Sequence, residues 1–376
     1  MKNTAQRLLD WIGRDALPFW STQGLIPGVG GSYETLYPSG LPNLAANMRV
    51  RIQARQIFVF ARAHQMGWLP NAEPLVRSLD MFICQKAVTQ CRSDGYAHLL
   101  SSSFEIVDAK RDLYDHAFFT LGYAAIFAAF GDKGARRKAR KITDWVDDEW
   151  SHPAGGWREG DYAAPWRRQN PHMHWFETFL FLYDATKNEQ WANKARKLFA
   201  LFEQHFYDTE NHILREYFAE DWTPASGEAG AIVEPGHMLE WVWLLRWYQK
   251  SIGTDTSEYA NNLFAKALAI GLDAEGLVYD AVDAQGKVLV HSKRLWPMTE
   301  LIKAAVAQAA AGVPDAEAVA ERAIENLFSY YLDPAKPGRY IDKRGAQNEI
   351  ADDSAPASTL YHLMVAATEV KRYCGL

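Results

Sequence analysis

Three histidines follow closely behind turn-forming residues, and two of them have a glutamate three positions on. In Glu234-Pro235-Gly236-His237-Met238-Leu239-Glu240-Trp241 the pair is His237 and Glu240; in Asn170-Pro171-His172-Met173-His174-Trp175-Phe176-Glu177 it is His174 and Glu177. The third is His362, in Ser354-Ala355-Pro356-Ala357-Ser358-Thr359-Leu360-Tyr361-His362. Residues three apart share a helix face, so each glutamate sits one turn deeper than its histidine. Pro and Gly or an Asn cap mark the helix starts. Unpaired backbone N–H groups there carry partial positive charge, which favours neutral imidazole over imidazolium. The expectation is that these histidines act as bases.

The separations suggest a repeat. His174 and His237 are 63 residues apart, and His237 and His362 are 125 apart, close to twice as much. Stepping by a similar amount lands on Arg55, His116 and Glu300, and the successive gaps from 55 to 362 are 61, 58, 63, 63 and 62. All six positions are polar and lie in the opening turns of apolar helices, as a six-fold helical repeat requires.

Bases, carboxylates and one arginine, edged by aromatics, suit removal of a proton beside a carbonyl, as at C2 of an open-chain aldose. Arginine would stabilise charge developing on the oxygen without losing its own. Glycoside hydrolysis needs two carboxyl groups about 5 to 9.5 Å apart. Glu177, Glu240 and Glu300 could supply them, but three histidines would then be unexplained. A divalent metal held by His174, His237, His362, Glu240 and Glu300 is a further rival. With no HExxH, and histidines from different helix starts, the expectation is no metal. No GxxxxGK[ST] or GxSxG motif occurs, and no cofactor is expected.

The other histidines have plainer readings. His172 is about 200° round the helix from His174, so at most one of the two faces a site. His116 is open, because Tyr114 in the same turn is an alternative substrate contact. His64, His98, His152, His205, His212 and His291 are expected at the surface or in satisfied polar positions.

The elements that must position these groups are helices. Helical periodicity covers roughly 4–18, 48–66, 73–91, 112–130, 134–149, 171–186, 190–205, 236–251, 256–270, 298–311, 315–331 and 356–372. Short turns alternate with long loops, and every polar station follows a long loop. Loops well above the usual ~4 to 6 residues tend to be functional. Strand signals at 276–283 and 286–291 read as a hairpin, and 212–218 as a weaker strand. The pattern predicts an all-α (α/α)6 barrel of six inner and six outer helices. Short β-hairpins would lie in its long loops on the active-site face, and residues 1–376 would form one catalytic domain. An open solenoid is the competing arrangement.

Composition narrows the class. The chain has 376 residues, 48% of them hydrophobic, and a net charge of −6 without a basic run, which gives no support to nucleic-acid binding. Cys84, Cys91 and Cys374 form no CxxC and read as reduced thiols of a cytoplasmic protein. The N-terminus lacks the apolar stretch of a signal peptide, and no segment is expected to approach the ~20 apolar residues of a membrane span. A small-molecule sugar is the expected partner, with neither nucleic acid nor membrane; the oligomeric state stays open.

The segments Arg51-Ile52-Gln53-Ala54-Arg55-Gln56, Asn170 to Glu177, Glu234 to Trp241 and Tyr361-His362 resemble the N-acylglucosamine 2-epimerase superfamily, which includes cellobiose 2-epimerases, mannose isomerases and sulfoquinovose isomerases. The likeness spans nearly the whole chain. It implies an (α/α)6 barrel that interconverts sugars without metal through a cis-enediolate. By motif position it implies that Arg55 holds the carbonyl oxygen and that His237 and His362 are the acid/base pair. It also implies that His174 assists ring opening or proton transfer, and that Asn170, Glu240, Trp296 and Glu300 position the sugar. Pro356 to His362 looks most like the mannose isomerase branch, so the expected reaction is D-mannose to D-fructose. The alternatives are a 2-epimerase of the mannose/glucose, cellobiose or N-acylglucosamine type, a glycoside hydrolase, or a sugar-binding protein without turnover.

Overall fold

The computed structural model describes residues 1–88, 95–332 and 335–376. Cys91 and the last positions of the helix expected over 73–91 lie outside the described residues. The principal helices, in chain order, are α1 (Lys2–Asp10), α2 (Val50–Gln65), α3 (Glu73–Lys86), α4 (Leu113–Phe130), α5 (Lys133–Trp150), α6 (Gln169–Thr186), α7 (Glu189–Leu201), α8 (Pro235–Ile252), α9 (Ser257–Ile270), α10 (Leu295–Ala310), α11 (Ala316–Asn326) and α12 (Thr359–Cys374). Each expected helical segment has its helix. Helices α1, α7 and α11 run on into wide π turns at Trp11–Ala16, Phe202–Phe206 and Leu327–Tyr331. The last two bury a bulky side chain at each end: Phe202 and Phe206, Leu327 and Tyr331.

The loops carry strands of two or three residues. The expected hairpin shortens to Ala281–Val282 against Val288–Val290, because Asp283 closes the turn by accepting from the N–H groups of Gln285 (3.0 Å) and Lys287 (2.9 Å). The weaker strand breaks into Ile213–Leu214 and Tyr217–Phe218, with Glu216 between them. The first piece pairs with Tyr207–Asp208.

The chain forms two compact units, one of residues 16–198 with 356–361, the other of 1–15, 199–355 and 362–376. In the 16–198 unit, α4 packs against α2, α5 and α6. A Cβ on Gly122 would lie 3.0 Å from the Ala54 carbonyl oxygen, so glycine there lets α4 approach α2 closely. Trp175 ties α6 to α4 by donating from Nε1 to the Leu113 carbonyl at 3.0 Å. Because α4 is enclosed by its neighbours it is apolar nearly all round. It is thereby long and apolar enough to cross a membrane by length and composition, while 72% of it is buried. The expectation that no segment approaches a span is corrected accordingly.

In the 199–355 unit, α8 packs on α9 and α10, α10 on α11, and α1 on α11. Trp241 stacks on Phe202 with ring centroids 4.5 Å apart, which seats the deep face of α8 and fixes where its first turn points. Gly253, at φ 89°, ends α8 in the left-handed conformation that glycine adopts without steric cost.

Four of the helices that carry polar stations begin alike. An arginine just ahead of the first turn donates both its backbone N–H and its Nε–H to one loop carboxylate. Arg49 binds Glu34 (2.9 and 2.6 Å) ahead of α2, and Arg111 binds Asp161 (2.8 and 3.0 Å) ahead of α4. Arg168 binds Glu159 (2.8 and 2.5 Å) ahead of α6, and Arg294 binds Asp280 (3.0 and 2.9 Å) ahead of α10. Such charge-assisted bonds fix where each helix starts, and with it the side chains of the next two turns.

Candidate active site

In the 16–198 unit, Arg55 on α2 is 5% exposed and surrounded by aromatic rings. Its guanidinium carbon lies 4.0 Å from the centroid of Phe118, 5.2 Å from that of Tyr361 and 5.7 Å from that of Tyr114. One terminal nitrogen donates to the Tyr114 hydroxyl at 2.6 Å. Its Nε–H is buried without an acceptor among the described residues. Tyr114 therefore stands beside Arg55. His174 Nδ1 meets Glu177 Oε2 at 3.1 Å, while the other Glu177 oxygen accepts from the Tyr361 hydroxyl. The His-x-x-Glu spacing is here a direct contact. Asn170, in the first turn of the same helix, keeps its side-chain oxygen buried without a donor among the described residues.

The two doubtful histidines of this unit are structural. His116 Nδ1 meets the Asp112 carbonyl at 2.7 Å and its Nε2 accepts from the Tyr96 N–H at 3.1 Å. His172 does the same with the Arg168 carbonyl (3.0 Å) and the Trp157 N–H (3.1 Å). Both are wholly buried, and burial lowers both pKa values, that of His172 to about 3. These rings fasten loops to helix starts.

In the 199–355 unit, His237 and His362 flank one indole. The Trp296 ring lies 5.2 Å, centroid to centroid, from His237 and 5.6 Å from His362. A Cβ on Gly236 would come within 2.6 Å of that indole, so the glycine of Glu234-Pro235-Gly236 admits the ring beside the start of α8. His237 Nδ1 bonds to Glu216 Oε2 at 3.0 Å, with Glu234 Oε2 at 3.7 Å. His362 Nδ1 bonds to Glu300 Oε1 at 2.8 Å. A carboxylate on Nδ1 fixes the ring's orientation, so proton exchange with a substrate would run through Nε2. No protein partner meets His237 Nε2 among the described residues.

The charge on His237 is opposite to the sequence expectation. Burial disfavours imidazolium, but Glu216 and Glu234 outweigh both burial and the helix start, and the pKa is pushed up to about 10. Burial and the nearby Glu216 carboxylate also raise Glu234, against the pull of His237. His237 is thus held protonated at neutral pH, where the helix start alone led to the expectation of a neutral imidazole. Glu240 sits one turn deeper than His237, as the spacing suggested, and faces Lys303, whose ammonium is 3.6 Å away.

Glu216, Glu234 and Lys303 were missed as functional residues. Glu216 stands 21 residues before His237, and its only sequence signal is a lone carboxylate inside a strand pattern. Lys303 is a charge in the apolar run Leu301-Ile302-Lys303-Ala304-Ala305, three positions after a polar station. Both carboxylate clusters in this unit have ligand atoms within 4.8 Å of one another: Glu216, Glu234 and His237 in one, Glu240, Glu300 and His362 in the other. A protein cation already faces each of them, the imidazolium of His237 in the first and the ammonium of Lys303 in the second. In the second cluster the ammonium of Lys303 already stands where a divalent ion would meet like charge.

A model of the N-acylglucosamine 2-epimerase (GlcNAc 2-epimerase) family matches residues 31–366. The mannose-6-phosphate isomerase of Rhizobium meliloti (strain 1021) is 33% identical, over 98% of this chain and 96% of the relative. The D-mannose isomerase of Thermobifida fusca is 29% identical, over 71% and 70%. The cellobiose 2-epimerase structure from Bacillus thermoamylovorans superposes with a TM-score of 0.89 at 16% identity, covering 99% of this chain and 100% of that one. The fold is thus of the expected class, all-α and of the (α/α)6 barrel type, and the protein is a sugar isomerase or epimerase acting on a small-molecule sugar. The chain belongs to the N-acylglucosamine 2-epimerase family.

Proposed function

We propose that the chain, as one catalytic domain over residues 1–376, is an aldose–ketose isomerase that interconverts D-mannose and D-fructose through a cis-enediolate. The observation that carries this reading is the pair of histidines on either side of Trp296, each with Nδ1 on a carboxylate and one of them cationic. His237 gives a proton to O1 as the C2–H bond breaks, His362 Nε2 receives the C2 proton and returns it to C1, and the O2 hydroxyl proton passes back to His237 as the C2 carbonyl forms. Both carbon-bound transfers then use one base on one face, as isomerisation allows. A 2-epimerase must reprotonate C2 from the opposite face, a donation that a protonated His237 could also make, so the choice of isomerisation rests on the D-mannose isomerase relatives.

The parts assigned to Arg55 on the carbonyl oxygen, His174 in ring opening, and Tyr114, Asn170, Glu240 and Glu300 in holding the sugar rest on motif position. The Thermobifida fusca relative supports mannose as the aldose. The Rhizobium meliloti relative favours a phosphorylated mannose instead. Against that, Arg49, Arg111, Arg168 and Arg294 are each engaged by a carboxylate and supply no ready phosphate cradle.

Product analysis tests the proposal. Incubation with D-mannose should yield fructose, and glucose formed without fructose would overturn isomerisation. D-mannose 6-phosphate and cellobiose, run in parallel, decide the phosphorylated and epimerase readings.

A further inference from the structure

Lys303 is wholly buried on α10. A lysine in that state ordinarily loses its charge or is held by an anion. Here its ammonium forms an ion pair with Glu300 Oε2 at 2.5 Å, lies 3.6 Å from Glu240 Oε1, and sits 3.9 Å over the centroid of the Trp243 ring. Glu240 and Glu300 are themselves buried, at 1% and 0% exposure. The second Glu300 oxygen is the one on His362 Nδ1. Glu300 is thus shared between a lysine and an imidazole.

We infer that Lys303 is a positioning residue for proton transfer: by holding Glu300 ionised and cancelling one of two buried negative charges, it keeps His362 neutral with its proton on Nδ1. This rests on the reading of His362 as the base. Near His362 stand Glu300 and Lys303 from α10, Glu240 from α8 and the Trp296 indole, on whose other side lies His237 with Glu216 and Glu234. With Lys303 in place, Glu240, Glu300 and Lys303 sum to one negative charge. When His362 takes the C2 proton, the cluster becomes neutral. Without the ammonium, two buried carboxylates would face the ring and draw a proton onto it before any sugar arrives. The base would then be blocked at neutral pH.

The test is the titration of His362 in the full chain without sugar, followed by imidazole NMR and assigned with a His362→Gln control. In Lys303→Met the His362 pKa should rise by at least about one unit, equivalent to a tenfold loss of free base at a fixed pH below it. The acidic limb of kcat/KM should move upward by the same amount, with activity recovering in alkali; a merely structural lysine would lower activity evenly at all pH values. In the double variant Lys303→Met/Glu240→Gln the cluster again sums to one negative charge, and the titration should return towards that of the parent. An unchanged His362 titration in Lys303→Met overturns the inference. If that variant does not fold, the double variant and Glu240→Gln alone decide it: Glu240→Gln should lower the His362 pKa, and an unmoved value overturns the inference equally. Because the NMR arm needs no turnover, a chain that fails to convert mannose can still show the shift, which separates this inference from the proposed reaction.

Discussion

Glu216 Oε2 lies 3.0 Å from His237 Nδ1, and this contact, more than the helix start behind it, sets the charge of the ring. With its pKa pushed up to about 10, His237 stays protonated through neutral pH. Activity that needs this acid should persist into alkali and fall as pH passes the raised pKa. Glu216→Gln removes the carboxylate that raises it, so the alkaline limb of kcat/KM should move to lower pH by at least one unit. An unmoved limb would show that His237 is not the titrating acid.

The same shift bears on stability. The pKa of His237 is raised from its ordinary 6.5 to about 10, so the stability it contributes is fully present below pH 6.5 and is lost as pH climbs towards 10. Urea midpoints at pH 6 and pH 10 should therefore differ more in the parent than in Glu216→Gln.

His237→Ala and His362→Ala should each lower kcat by at least ~100-fold, the low end for a lost general acid or base. Deuterium exchange at C2 of mannose in D₂O should fall with His362→Ala. Parental turnover in either folded variant removes that residue from the mechanism.

Gly236 has helical backbone, so alanine there strains nothing locally, yet its Cβ would come within 2.6 Å of the Trp296 indole. Gly236→Ala should displace the ring between the two histidines and lower kcat/KM by up to ~100-fold. Helical content should be unchanged by circular dichroism. Parental kinetics would mean that the indole is not needed where it stands.

Asp280 accepts from the backbone and Nε of Arg294 and from the Ser292 hydroxyl at 2.6 Å. Asp280→Ala leaves those donors unmatched and should cost about 1 to 3 kcal/mol in urea unfolding. Because α10 carries Trp296, Glu300 and Lys303, kcat should fall as well.

Since protein cations already face both carboxylate clusters of the 199–355 unit, EDTA should leave activity unchanged. Loss on chelation, restored by one divalent ion, would return the metal to the mechanism.

Much of this was legible in the sequence. Helix period placed the helices, and the phase-matched stations picked out Arg55, His174, His237, Glu300 and His362. The contact of His174 with Glu177 is local and follows from spacing alone. The rest depended on partners that arrive from a distance. His116 and His172 are satisfied by the loop N–H groups of Tyr96 and Trp157, which periodicity does not locate. The charge of His237 was misread because Glu216 reaches it from a broken strand 21 residues upstream. The arginine collars were written in the chain, since Arg49, Arg168 and Arg294 each stand six residues before a polar station and Arg111 five before His116. They were overlooked because their acceptors follow no fixed spacing.

That irregular spacing has a consequence. The arginine and its acceptor are 15, 50, 9 and 14 residues apart in the four collars. In the second, Asp161 returns to Arg111 from beyond α4 and α5. In the other three, whose acceptor precedes the arginine, an anchor indifferent to the length of chain it spans lets the intervening loop be trimmed, extended or exchanged without shifting the register of the helix behind it. Grafting such segments between relatives is therefore a route to altering which sugar is accepted while the machinery underneath is kept intact.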